Sequence, residues 1–276
     1  MNSFIILSLL GLLIGTFGTL IGAGGGFLLV PLLLLAYPKL PPEVVTAISM
    51  AIVAFNAISG SVAYSRSKRI DYKAGLLFAA ATIPGSILGV FATEHIPHNL
   101  FNILFGVLLL VLSTYLFIKN KKKKEGEAPA PLKTGKGWIQ RTLVDKHGTV
   151  FNYSYNQPNG IFISILVGFI SPLLGIGGGI IHVPAMVQWL QFPVYIATAT
   201  SHFILAIMSA ISVGVHAIQG HYNDPEVLKM VGALTIGVIP GAQLGAYLSH
   251  KIPTYAIIKS LAVCLGLVAI RILLKH

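Results

Sequence analysis

The chain has 276 residues, of which 55% are hydrophobic and only 10% charged, and its mean hydropathy is +0.81. A soluble domain carries about a quarter charged residues, so this composition excludes a water-soluble globular protein and indicates a polytopic membrane protein. The formal net charge is +11, and the single cysteine, Cys264, excludes an intramolecular disulfide and a thiolate metal site, leaving a small core residue in an apolar span.

Residues 1–38 hold no charged side chain, and they lack the basic n-region and the cleavage site of a signal peptide, so this stretch is expected to stay in the protein. A bilayer core of about 30 Å needs about 20 helical residues. Six apolar runs of that length follow, at 44–65, 74–93, 99–118, 194–217, 227–248 and 254–273, bounded by stretches such as "SRSKRIDYK", "EHIPHN", "GHYNDPE" and "HKIPT". Two further apolar segments, 3–37 and 160–192, are longer than one crossing, and each is broken by glycines in "LIGAGGGFLLVP" (20–31) and "LLGIGGGIIHVP" (173–184). The pieces around the second run, 160–174 and 180–191, are short, which predicts hairpins of two half-depth helices meeting at a glycine break.

The two glycine runs lie 153 positions apart, and the repetition extends beyond them. "TAISM" (46–50) matches "TATSH" (198–202), "IPGSILG" (83–89) matches "IPGAQLG" (239–245), and "HIPHN" (95–99) stands where "KIPTY" (251–255) does. The chain therefore divides into repeat one, residues 1–118, a basic connector, 119–159, and repeat two, 160–276. The expected fold is an all-α polytopic membrane protein of two repeats, each a broken hairpin followed by three full crossings. Three crossings is an odd number, so the second repeat is expected to insert upside down. Placing the connector in the cytoplasm puts all but Lys39, Lys229, Arg271 and Lys275 of the 19 lysines and arginines inside, with both termini outside. The run "KNKKKK" then reads as a juxtamembrane anchor at anionic lipid rather than a nucleic-acid site. In the connector, "EGEAPAPLKTGKG" reads as a flexible linker, while "RTLVD" and "TVFNYSYN" alternate around "KHG" as a β-hairpin does. The hairpin is expected to rest on the cytoplasmic face or on a partner chain.

Glycine costs about 1 kcal/mol relative to alanine in a helix, and irregular backbone at membrane depth needs protein or water as its partner. Helices that start after Gly24, Gly25 and Gly26, and after Gly177, Gly178 and Gly179, would point free N–H groups and a positive dipole end at an anion. Pro31 and Pro184 add to the break, because each leaves the carbonyl four residues earlier, that of Phe27 or Ile180, without its usual partner. Close helix packing is the competing reading of the glycines. Thr198, Ser201 and His202 share one helix face, as Thr46, Ser49 and Met50 do in repeat one, and the hydroxyls could ligate an anion or bond their own helix. His182 lies three residues beyond Gly179, where repeat one has Leu29, and an ionisable group at that depth is a candidate for function. Gly85 and Gly89, like Gly241 and Gly245, form small-residue ridges expected to pack helices.

The doubled G-x-G-G-G…V-P runs, the "ATS" helix, the "GHYNDP" loop and the "VDKHGTVFNY" connector together resemble the TauE/SafE family of bacterial and archaeal membrane proteins, known as sulfite exporters. The resemblance spans nearly the whole chain. It implies a transporter, without cofactor, that moves small sulfur-containing anions such as sulfite, thiosulfate or organosulfonates across the cytoplasmic membrane. His182 and His202 both lie in repeat two, so a site built from both repeats would be chemically asymmetric. They are also the candidate proton carriers, because the eight acidic residues all fall in loops or at span ends. That placement of the carboxylates argues against an intramembrane enzyme. An anion channel with re-entrant helices remains an alternative, and a divalent-metal transporter a weaker one.

The charge asymmetry generates a topological prediction. Single cysteines placed at positions 125 and 223 in a Cys264→Ser background should react with impermeant maleimide from opposite sides of the membrane. Labelling of both from the same side would overturn the inverted arrangement.

Overall fold

The computed structural model describes residues 2–119, 132–249 and 254–274. Five helices precede the connector: α1 (Asn2–Ile21), α2 (Gly26–Ala36), α3 (Pro42–Arg66), α4 (Tyr72–Thr93) and α5 (His98–Lys119). Strands β1 (Trp138–Val144) and β2 (Val150–Asn156) follow, and then α6 (Gln157–Leu174), α7 (Gly179–Gln188), α8 (Val194–Ile218), α9 (Pro225–Leu248) and α10 (Thr254–Leu274). Among the described residues, seven helices are long and apolar enough to cross a membrane: α1, α3, α4, α5, α6, α8 and α9. The protein is an all-α, multi-pass integral membrane protein. The basic run at 120–131 and the "HKIP" turn at 250–253 lie outside the described residues, as do the side chains of Lys259 and Cys264.

The broken hairpins differ from the half-depth pairs expected. α1 has 20 residues and α6 has 18, whereas their return arms α2 and α7 have 11 and 10. α6 gains length at its start, where Asn156 caps the helix by accepting the Asn159 N–H and Pro158 occupies the first turn. Each hairpin is thus one long arm that turns at the glycines and one short arm that returns.

The most extensive helix pairings are α1 with α9, α4 with α6, α10 with α5, and α3 with α8. Exchanging the first five helices for the second five turns α1–α9 into α6–α4 and leaves the other two pairs unchanged. Small residues make these contacts close, as membrane helices require in the absence of a strong hydrophobic drive between them. A Cβ at Gly85 would lie 2.7 Å from the Ile165 carbonyl oxygen of α6, and one at Gly15 would lie 2.6 Å from that of Val238 in α9. Gly241 and Gly245 press in the same way on α1.

The connector strands form the hairpin that their alternation predicts, antiparallel, with Trp138 opposite Asn156 and Val144 opposite Val150. A two-stranded ribbon is marginal alone, and this one is pinned to the α3–α4 loop. Arg69 Nη2 lies 2.8 Å from Asp145 Oδ2, the Tyr153 hydroxyl donates to Asp71 Oδ2 at 2.8 Å, Arg141 Nε stands 3.5 Å from Asp71 Oδ2, and the Lys146 N–H donates to the Ser67 carbonyl. Tyr153 and Tyr155 also pack on Phe192, each with ring centroids 4.9 Å apart. Burial alone would raise the Asp145 carboxyl, but Arg69 and the N–H groups of Thr149 and His147 outweigh it and hold it at about 2.

A group whose pKa is depressed by folding lends stability above its unfolded value and loses it as pH falls through the folded value. Hairpin docking should therefore be unaffected from neutrality down to about pH 4 and weaken only toward pH 2. Asp145→Asn removes a charge-assisted bond of the kind worth about 1.5–3 kcal/mol. In detergent-solubilised protein at neutral pH it should speed tryptic cleavage at Arg141 and Lys146 by about tenfold or more, and cleavage at the wild-type rate would show that the ion pair does not hold the hairpin.

Candidate functional site

The glycine turns of the two hairpins pack directly on one another. Gly25 and Gly178 cap α2 and α7 with φ of 86° and 66°, a left-handed conformation that only glycine adopts at low cost. The next residues, Gly26 and Gly179, are helical, and there the demand is for space. A Cβ on Gly26 would collide with the carbonyl oxygen of Gly175, and one on Gly179 with that of Gly22. Gly24 and Gly177 each face Val53, near the middle of α3, and Gly24 also faces Leu205, near the middle of α8. Gly22 through Gly26 and Gly175 through Gly179 are all buried.

The turns overlap rather than meet end to end. α1 runs past the middle of α3, so that the Tyr64 hydroxyl, near the end of α3, donates to the Thr19 carbonyl at 2.8 Å. The start of α2 consequently lies against the end of the α6 turn, and the start of α7 against the end of the α1 turn. Positive helix ends face negative ones. Among the described residues, no hydrogen-bond acceptor lies on the N–H of Gly26, Phe27 or Ile180, whereas the Gly179 N–H donates to the Gly177 carbonyl at 2.7 Å. The expected gap for an anion is closed in this arrangement by the carbonyls of Gly22 and Gly175.

The hydroxyl faces frame this junction. Ser49 Oγ donates to the Gly175 carbonyl at 2.5 Å, and its counterpart Ser201 donates to the Gly22 carbonyl at 3.4 Å. Thr46 and Thr198 stand at the same glycines but present methyl groups, which would lie 3.2 Å and 2.8 Å from a Cβ on Gly175 and Gly22. Thr46 Oγ1 donates instead to the Glu43 carbonyl of its own helix.

The two expected histidines are buried but do not come together. His182 turns away from the junction: its Nε2 is 3.2 Å from Ser164 Oγ on α6, and its ring lies beside Phe78 of α4. Ser164 Oγ donates to the Gly160 carbonyl, so it accepts from His182. His202 faces α1 and α3, with Nε2 3.2 Å from Thr19 Oγ1 and its ring edge-on to Tyr64 at 5.6 Å. Thr19 Oγ1 in turn donates to Asn56 Oδ1 at 2.7 Å. The partners of His202 in this network, Thr19, Asn56 and Tyr64, are absent from the expectations, because they lie far from it in sequence and outside the repeated motifs. Also unforeseen is His216, the counterpart of Tyr64 at the repeat spacing of 152, buried at the end of α8. Its signal was present: fourteen residues after His202 is nearly the same face of one helix.

Ser49→Ala should leave the Gly175 carbonyl buried without its donor and cost about 1–3 kcal/mol. Ser201→Ala, with the longer bond, should cost less. Thermal melts in one detergent would rank the two, and a larger loss for Ser201→Ala would contradict the geometry.

The sulfite exporter TauE/SafE family profile matches residues 7–272. A probable membrane transporter protein of Bacillus subtilis, YunE, is 35% identical to the chain over 98% of its length and 97% of the relative's. Probable membrane transporter proteins of Methanocaldococcus jannaschii and Xylella fastidiosa are 25% and 24% identical, covering 98% and 88% of this chain and 95% and 83% of their own lengths. No solved structure matches it. The chain belongs to the sulfite exporter TauE/SafE family of membrane transport proteins.

Proposed function

We propose that the protein is a secondary transporter that exports a small sulfur-containing anion, sulfite, thiosulfate or an organosulfonate, across a prokaryotic cytoplasmic membrane by alternating access. The observation that carries this reading is the reciprocal junction of Gly22–Gly26 with Gly175–Gly179. At the two helix starts the N–H groups of Gly26, Phe27 and Ile180 have no acceptor among the described residues, while the carbonyls of Gly175 and Gly22 crowd Gly26 and Gly179, and an anion entering between separated turns would supply the missing acceptor. Separation of the turns would open the site, and their contact would seal it. The matched helix exchange, α1–α9 for α6–α4, supports two repeats of inverted topology, and the distribution of lysine and arginine supports both termini outside and the connector inside. Ser49 and Ser201, released from the carbonyls of Gly175 and Gly22, would offer their hydroxyls to the anion. Any proton moving with the anion is assigned to His182 or His202, buried on α7 and α8, the helices that carry Gly179 and Ser201.

Purified protein in proteoliposomes should take up radiolabelled sulfite or thiosulfate in competition with unlabelled anion, and it should not carry labelled nickel or cobalt. Gly26→Ala and Gly179→Ala should each lower flux by at least tenfold while inserting normally, because the added methyl meets the opposing carbonyl. His182→Gln or His202→Gln should alter the pH dependence of uptake. Metal flux without anion flux would replace this reading with a cation transporter, and currents far above carrier turnover would replace it with a channel.

A further inference from the structure

A chain of titratable side chains stands at the opposite end of α4 from the docked hairpin. The hairpin binds around Asp71, which caps the start of α4, and Glu94 caps its end, about 35 Å away at 1.5 Å per residue. Glu94 Oε1 lies 3.3 Å from Nε2 of His221, in the loop between α8 and α9. The Nδ1 atom of His221 lies 2.8 Å from Nδ1 of His216, in the last turn of α8. His216 is fully buried, and its Nε2 has no hydrogen-bond partner among the described residues. Side-chain exposure rises from there to 11% at His221 and 32% at Glu94.

The protonation pattern follows from what each group can do. A carboxylate only accepts, so His221 carries its proton on Nε2 and offers a lone pair at Nδ1. His216 then donates from Nδ1, which leaves its inner Nε2 a bare lone pair in a dry environment. The titratable groups that face His216 are His221 and Tyr222 of the loop and, through His221, Glu94 of α4; α3 contributes the Ala47 carbonyl, which accepts from the Tyr222 hydroxyl. The polar face continues inward along α8 as Ser212, Ser209 and His202, all buried, over about 21 Å. Each serine donates to the carbonyl four residues back and keeps a lone pair free. At the matching positions repeat one has Tyr64, Gly60, Ala57 and Met50, so the line of polar groups belongs to repeat two alone.

We propose that His216, His221 and Glu94 form a proton relay that joins water at this face of the protein to the buried polar face of α8. A proton arriving at His216 Nε2 displaces the Nδ1 proton onto His221 Nδ1, and the His221 Nε2 proton passes to the Glu94 carboxylate and then to water. One proton enters and one leaves, and each ring is left as its other tautomer; the starting tautomers return when the rings turn and exchange protons with water, each losing one proton and gaining one at its other nitrogen. The relay rests on the reading of the chain as an anion transporter and supplies its coupling route.

The test uses proteoliposomes containing a pH-sensitive dye, with labelled thiosulfate as the probe because it does not titrate near neutrality. Wild type should move protons with thiosulfate. Glu94→Gln keeps an oxygen that accepts from His221 but cannot take the proton, so it should retain thiosulfate exchange between equal pH values and lose proton movement by at least tenfold. His216→Tyr, which installs the residue of repeat one, should do the same. Proton movement at the wild-type rate in Glu94→Gln, or wild-type thiosulfate flux without protons, would overturn the relay and leave the transporter reading intact. If wild type carries no thiosulfate or sulfite at all, it is the transporter reading that fails. The relay is then decided by nitrogen NMR of the histidine rings at neutral pH, where Nδ1 of His216 should be protonated and Nε2 bare; a protonated Nε2 would overturn it.

Discussion

An apolar layer offers no partner to a broken helix, and two such breaks must find partners in the protein itself. This chain meets the constraint by setting the two breaks against each other. The carbonyls exposed at the turn of one hairpin, Gly22 and Gly175, lie where the helix of the other begins, at Gly179 and Gly26. Gly26 and Gly179 are needed because a side chain would hold the backbones apart, and Gly22 and Gly175 because their φ of 81° and 67° is left-handed. The rest of the fold follows from that junction. Helices α3 and α8 must pass on either side of it, so Val53 and Leu205 wall it near their midpoints, and Ser49 and Ser201 reach it from its flanks.

Much of this architecture was legible in the sequence. Charges are so sparse that span boundaries stand out, and the repeated glycine runs mark the breaks without any structure. The strands of the connector were also visible, because alternation of residues such as Tyr153 and Tyr155 with polar neighbours has a period no helix shares. Arm length was not, since periodicity cannot say where an all-apolar helix stops relative to the bilayer midplane. Nor could the sequence show that the hairpins overlap. A helix start written as a free anion site is, in three dimensions, already facing a carbonyl. The direction of His182 was hidden for a related reason: a residue three positions beyond a break can turn toward the break or toward its own hairpin, and only the packing of Ser164 and Phe78 decides it.

The helix pairings of the two halves match, but the side chains do not. Repeat one places Leu29, Met50 and Tyr64 where repeat two places His182, His202 and His216. These three buried histidines are thus confined to one half of the chain. The tyrosine that replaces His216 is informative, since its hydroxyl donates to Thr19 and closes the network around His202. One repeat thus uses the position to tie helices together, and the other leaves a nitrogen unpaired.

The pairing of helices also limits how such a molecule can move. If residues 1–118 swung as one body against 160–276, α1 would have to leave α9 and α4 would have to leave α6, breaking the glycine-to-carbonyl contacts that give these pairs their close approach. Those surfaces are closely packed, and packed interfaces shift between discrete arrangements rather than stretching. The cross-repeat pairs, α1 with α9 and α4 with α6, are therefore held by backbone contact, and α3 and α8 lie beside the glycine junction. The docked connector fits this pairing, because β2 runs directly into α6 while Asp71 and Arg69 bind the hairpin to the start of α4. It ties the two members of this pair together at a single end.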